Sequence, residues 1–284
     1  MSKLYPIAML WVEGPLSYVE QLCAQSFLDA GHEVTLYHYG PVANVPEGVT
    51  VLHGDVILER DNFISHGRTG SLALFSDVFR YHLLTKSERV IWADTDAYCM
   101  KPFETETGHY FGWESNHHIN GGVLGLPPES EALAGLLEMS GDEFGIPFWY
   151  SDGARTKLQA QADAGTPVHV SELPWGVWGP HAVTAWLQKT GEDKYAFPRE
   201  VLYPIPFEMR RRMVKAGRRA SAEAQLTENT TSIHLYGRRI REFLASRPDG
   251  QPDEGGLIHA LCEKHGIDPT AAPVISKKDK EAVE

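Results

Sequence analysis

Cysteine is scarce in this sequence, and so is positive charge. Only Cys23, Cys99 and Cys262 occur in 284 residues, far apart and without a Cys-x-x-Cys pair. That argues against both a disulfide framework and a structural zinc site, and leads us to expect a reducing, cytoplasmic setting. Lysine and arginine number 26 against 38 acidic residues, for a formal net charge of −12. Duplex phosphate repels such a surface, so no nucleic-acid partner is expected. No run offers the roughly 20 apolar residues of a membrane span. The opening "MSKLYPIAML" also lacks the apolar core of a signal peptide. Repeats and low-complexity tracts are missing too.

What is present is an alternation of apolar runs. "YPIAMLWV" (5–12) reads as a buried strand and "GPLSYVEQLCAQSFLDAGHE" (14–33) as a helix, with Pro15 near its start and Gly31 placed to end it. "VTLYHYG" (34–40) returns as a strand, giving a β-α-β unit and therefore a parallel sheet in an α/β fold. Further strands are expected at 49–58, 89–98, 110–114 and 120–127, and helices at 71–84 and 130–140. From 145 to 207 the chain is rich in Trp, Pro and Gly, and short elements with long, binding-competent loops are expected there. A turn-rich boundary at 247–256 precedes a short helix at 257–266 and a frayed tail, "SKKDKEAVE".

Within "RVIWADTDAY" (89–98), Asp94 and Asp96 flank one residue. In extended chain, side chains two apart point the same way. Two carboxylates aimed at one spot repel unless one is protonated or a cation sits between them. Mg2+ and Mn2+ favour oxygen ligands and keep positions for phosphate oxygens. The end of a strand in an open parallel sheet is also where such folds place ligands. Taken alone, an Asp-x-Asp reads more readily as a solvated pair at a strand end.

The surroundings shift that balance. "FSDVFRYHLL" followed by "RVIWADTDAYCMKPF" resembles the Ser-Asp-x-x-Arg helix and Asp-x-Asp (DXD) strand of sugar-nucleotide-dependent glycosyltransferases of the GT-A fold. The likeness is to the retaining, family 32-like group that includes bacterial capsule and lipopolysaccharide transferases. "MLWVEG", "INGGVLG", "WGP" and "SIHLYG" extend it in family order from residue 10 to about 237. One departure is the connection "TKSERV", where the family often has Gly-Gly.

The resemblance implies a GT-A (Rossmann-like) fold with a mainly parallel central sheet. It implies transfer of a hexose from a nucleoside diphosphate sugar, UDP favoured over GDP, to a hydroxyl of a glycan or glycolipid acceptor, with retention. Mn2+ or Mg2+ is the implied cofactor, with Asp96, Asp94 and His234 as ligands; an imidazole in the set tilts preference toward Mn2+. Asp94 is also implied to touch ribose or sugar hydroxyls, beside Thr95. Asp77 and Arg80, neighbours on a helix, are implied to hold the donor sugar; alone they read as a surface ion pair. Trp11 is implied to stack on the base, next to Val12, although a Trp at a strand end also reads as core. Asn120, Gly121 and Gly122 are implied to bring backbone and an amide close to the sugar, against the simpler reading of an Asn-Gly turn between strands. Gly237 would admit a phosphate, and Arg238 or Arg239 could pair with it.

His117 and His118 are adjacent and diverge in a strand, which makes them a poor chelating pair. Trp175, Trp178 and His181 are acceptor-side candidates. "MRRRMVKAGRR" (209–219) is a basic island that on a helix would be a solvated face, or would touch anionic lipid as a peripheral contact at the inner membrane surface. The expected organisation is a transferase domain over 1–245, with a nucleotide-sugar half (1–125) and an acceptor half (126–245), and a C-terminal extension over 246–284. The rival functions are a sugar-nucleotide-binding protein without catalysis and a nucleotidyltransferase. The second would carry a Gly- and Lys/Arg-rich phosphate loop near its start, and "WVEGPLSYVEQ" has none.

Overall fold

The computed structural model describes residues 4–59, 65, 67 and 70–274; the expected tail lies outside them. The fold is α/β with a mainly parallel central sheet. In chain order the main elements begin with β1 (Ile7–Leu10), α1 (Tyr18–Asp29), β2 (Val34–His38), β3 (Thr50–His53) and α2 (Ala73–Lys86). There follow β4 (Ile91–Ala93), β5 (Ala97–Cys99), β6 (Tyr110–Trp113), β7 (Ile119–Gly125), α3 (Glu131–Ser140), α4 (Asp152–Asp163) and α5 (Ala182–Thr190). β8 (Ser232–His234), α6 (Gly237–Ala245) and α7 (Leu257–Lys264) complete the set. No helix among the described residues is long and apolar enough to cross a membrane.

The chain forms two compact units, and neither is contiguous in sequence. Unit one holds the described residues of 1–53, 93–104 and 197–284, and unit two those of 54–92 and 105–196. In unit one β1 pairs with β2 and β2 with β3, both parallel. β8 pairs with β5 antiparallel, setting His234 across from Ala97. The segment expected as an extension belongs to this unit: Leu257, Ile258, Leu261, Cys262 and Val274 join Tyr18, Leu22, Cys23, Tyr98, Ile233 and Ile240 in one core.

Helix α1 begins later than 14–33 suggests. Gly14–Pro15 is a short extended segment paired with Val42–Ala43. Ser17 then caps the helix, and Glu20 closes the capping box by accepting from the Ser17 N–H. Gly31 does end it: at φ +91° it lets His32 N–H reach Phe27 O and Gly31 N–H reach Leu28 O.

In unit two β6 and β7 form an antiparallel hairpin, with Gly112 across from Asn120 and Trp113 across from Ile119. Asn120 therefore lies inside a strand, and the hairpin turn falls at 114–118, closed by Glu114 N–H on His118 O. That overturns the Asn-Gly turn reading. His117 and His118 sit in this turn, not in a strand. The 145–207 stretch carries more helix than its composition suggests. α4 has no buried residue, so it shows no apolar periodicity to read.

Candidate functional site

The Asp-x-Asp segment is not continuous strand. β4 ends at Ala93 and β5 begins at Ala97; Asp94, Thr95 and Asp96 form the turn between them, closed by Ala97 N–H on Asp94 O at 2.9 Å. The same-face argument for Asp94 and Asp96 fails here, because a turn breaks the two-residue alternation.

What the fold assembles instead is Asp96 with His234, 138 positions later. The β5–β8 register brings His234 alongside, and Leu235 N–H donates to Asp96 O at 2.8 Å. His234 Nδ1 and Asp96 Oδ1 lie 3.7 Å apart. Both atoms are buried and neither has a hydrogen-bond partner. A separation of 3.7 Å is too long for a hydrogen bond. Each orphan carries a desolvation cost of about 1–3 kcal/mol. Two ligand atoms on a cation with bonds of about 2.1 Å stand roughly 3–4.2 Å apart, so the spacing and the missing partners fit a divalent cation. Among the described residues no third His, Cys, Asp or Glu side chain joins them, so Asp94 is not assembled into a three-residue set.

The other Asp96 oxygen, Oδ2, accepts from Gly237 N–H at 2.5 Å. A Cβ on Gly237 would lie 2.8 Å from Asp96 Cβ, so the residue must be glycine for this approach. Tyr236 delivers Gly237 by adopting a left-handed backbone at φ +56°, a conformation that costs roughly 1–2 kcal/mol outside glycine. Its hydroxyl is tied to Ile205 O, and its ring meets His234 edge-on at 4.7 Å, while Tyr203 meets the same imidazole at 5.6 Å. The imidazole is thereby held in place on two sides. Close by, burial pushes the Cys23 thiol well up, and the Asp96 charge adds to that.

Trp11 follows the end of β1, half-buried, with its indole N–H on Gly14 O at 3.1 Å. Val12 O accepts from Tyr39 and Gly40 N–H. Arg238 and Arg239 are exposed and pair with Glu242 on their own helix, at 3.5 and 2.9 Å. Two residues of this unit escaped the sequence reading. Arg241 pairs with Glu20 at 2.6 Å and lies over the Trp11 ring at 5.5 Å. The Ser17-to-Glu20 spacing of a capping box was the available signal for Glu20; Arg241 had none.

Unit two carries a second polar cluster. Asp77 and Arg80 are both buried and 3.2 Å apart, which overturns the surface-pair reading. Arg80 also donates to Gly121 O at 2.5 Å and to Ser76 O at 3.3 Å, and its guanidinium lies over the Trp92 ring at 5.1 Å. A Cβ on Gly179 would stand 3.1 Å from both Asp77 oxygens, so the Trp-Gly-Pro segment presses backbone against that carboxylate. Asn120 donates to Glu114 at 3.0 Å and accepts from Gly122 N–H at 2.7 Å.

Trp178 is core, its carbonyl taken by Tyr81, whereas Trp175 is exposed. His181 stacks on His118 at 4.7 Å; burial lowers its pKa, and His118 lowers it further. The basic island is not one helix. It breaks into 3-10 turns at Phe207–Arg212 and Ala216–Arg218 before a short helix at Arg219–Glu223.

No protein-family model matches the sequence, and no curated protein does. Among solved structures the chain is similar to PaToxG glycosyltransferase, at 11% identity over 67% of this chain and 72% of that one, with a TM-score of 0.40. It is also similar to the apo form of mouse xyloside xylosyltransferase 1, at 11% identity over 81% and 96%, with a TM-score of 0.37. A third is galactosyltransferase LgtC in complex with donor and acceptor sugar analogues, at 11% identity over 97% and 99%, with a TM-score of 0.39.

Proposed function

We propose that this chain is a metal-dependent glycosyltransferase that moves a hexose from a nucleoside diphosphate sugar, UDP-linked in the first instance, to a hydroxyl of a glycan or glycolipid, with retention. One observation carries the reading: Asp96 Oδ1 and His234 Nδ1, buried, without partners and 3.7 Å apart. Such a pair suits Mn2+ better than Mg2+, because it offers one imidazole nitrogen beside one carboxylate oxygen. Bound there, the cation would act as a Lewis acid toward a departing diphosphate.

The chain's own residues would do the rest by placement. Gly237 lets the Asp96 carboxylate close on the backbone, Tyr203 and Tyr236 hold the imidazole in its orientation, and Trp11 offers a ring face to a base. Asp77 and Asn120, from the resemblance, are assigned to the hydroxyls of the donor sugar. The Arg80 bond to Gly121 O would make that arginine a positioning residue. No side chain is assigned as a nucleophile.

The test is calorimetric titration of UDP and GDP with and without Mn2+, on the wild type and on Asp96→Ala, followed by a donor panel scored for sugar release. Metal-dependent binding that Asp96→Ala abolishes is expected. Binding indifferent to both metal and Asp96 would make the chain a nucleotide-binding protein and end the transferase reading.

A further inference from the structure

We infer that Arg241, which the family resemblance does not supply, is a phosphate-binding residue for the nucleoside diphosphate; the inference rests on the proposed function above. Arg241 lies one turn after Gly237 on α6, on the same helical face. Its Nη1 donates to Glu20 Oε1 at 2.6 Å. Glu20 is sealed, with 1% of its side chain exposed, and its other oxygen already accepts from Ser17 N–H at 2.9 Å and Ser17 Oγ at 2.6 Å. The carboxylate therefore has all its donors, and the guanidinium is held by one corner.

The pair is asymmetric. Arg241 keeps 31% of its side chain exposed, and its Nε and Nη2 donors have no acceptor among the described residues. Its Nη1 and Asp96 Oδ2 stand 2.7 and 2.9 Å from the same point, the position a Gly237 Cβ would occupy. The guanidinium thus closes on the same glycine as the Asp96 carboxylate. A tether alone would need only the Glu20 bond. A part-exposed planar fork with one N–H anchored and the others without acceptors has donors left for phosphate oxygens. Arg238 and Arg239, the cations expected from sequence to do this, are engaged with Glu242 instead.

Arg241→Ala would strand the buried Glu20 charge, so Arg241→Lys is the test variant. A lysine can compensate Glu20, but its single ammonium cannot also present a fixed fork outward. Titrations with UDP, GDP and uridine in Mn2+ are compared with thermal melting and with Mn2+ affinity by electron paramagnetic resonance. Melting and metal affinity should stay near wild type, while affinity for the nucleoside diphosphate falls on the order of 10- to 100-fold and affinity for uridine does not change. Equal nucleoside diphosphate affinity in wild type and variant overturns the assignment and leaves the transferase reading standing. An equal loss for uridine also overturns it, because the residue would then act through Trp11. A wild type that binds neither UDP nor GDP removes both.

Discussion

His234 Nδ1 faces Asp96 Oδ1 across 3.7 Å, and neither atom bonds to anything else. Polar atoms buried in this way are costly unless something absent from the chain completes them. Asp96→Asn and His234→Ala should each lower Mn2+ affinity, measured with UDP present, by about tenfold or more. Asp94→Asn should have a smaller effect, because the turn at 94–97 does not assemble Asp94 with the other two. Equal losses at all three positions would show that Asp94 is a full ligand.

Gly237→Ala separates function from stability. The added Cβ would meet Asp96 Cβ at 2.8 Å and Asp96 Oδ2 at 2.9 Å, closer than carbon contacts allow. Asp96 must move, so Mn2+-dependent nucleotide binding should drop by tenfold or more. Strain of roughly 1–3 kcal/mol is offset in part by the better helix propensity of alanine. Urea unfolding should therefore lose no more than about 2 kcal/mol while the binding isotherm collapses.

Much of this fold could be read from local pattern, and the reason is visible residue by residue. The apolar run before Leu10, the helix through Leu22 and Phe27, and the return at Val34 gave the parallel unit, because burial enforces those periods. The turn at Asp94–Asp96 was hidden, since the apolar flanks Ile91–Ala93 and Ala97–Cys99 belong to two different strands. The partnership of His234 with Asp96 depends on the β5–β8 register, a long-range pairing no local signal encodes, and only the resemblance suggested it. α4 went unread because none of its residues is buried. Arg241 went unread because its meaning comes from Glu20, more than two hundred positions away.

Arg80 should prove structural first and functional second. Its guanidinium compensates the buried Asp77 carboxylate and carries Gly121 O at 2.5 Å. Arg80→Met should destabilise the fold by about 3–5 kcal/mol in urea unfolding, because a buried carboxylate loses its cation. Arg80→Lys should recover only part of this, since an ammonium cannot reach Asp77 and Gly121 together. A loss under 1 kcal/mol for Arg80→Met would mean that the pair is hydrated in solution.

Asp29 links the ends of two helices in unit one. Its Oδ2 meets His265 Nδ1 at 2.6 Å, and the far ring nitrogen of His265 meets the Tyr98 hydroxyl at 2.8 Å. The hydrogen bond from His265 holds the Asp29 carboxyl below the usual carboxylate range, with Gln25 adding to the effect. A depressed folded-state pKa stabilises the fold above the unfolded value of about 3.9 and loses that contribution as pH falls through the folded value. Asp29 is 45% exposed, so solvent screening limits the contribution to under about 1 kcal/mol. Asp29→Asn should thus be slightly less stable than wild type at pH 6 in urea unfolding. The gap should close as pH is lowered below 4; a gap that widens there would reverse the sign of the linkage and show that the charge on Asp29 is not what binds His265.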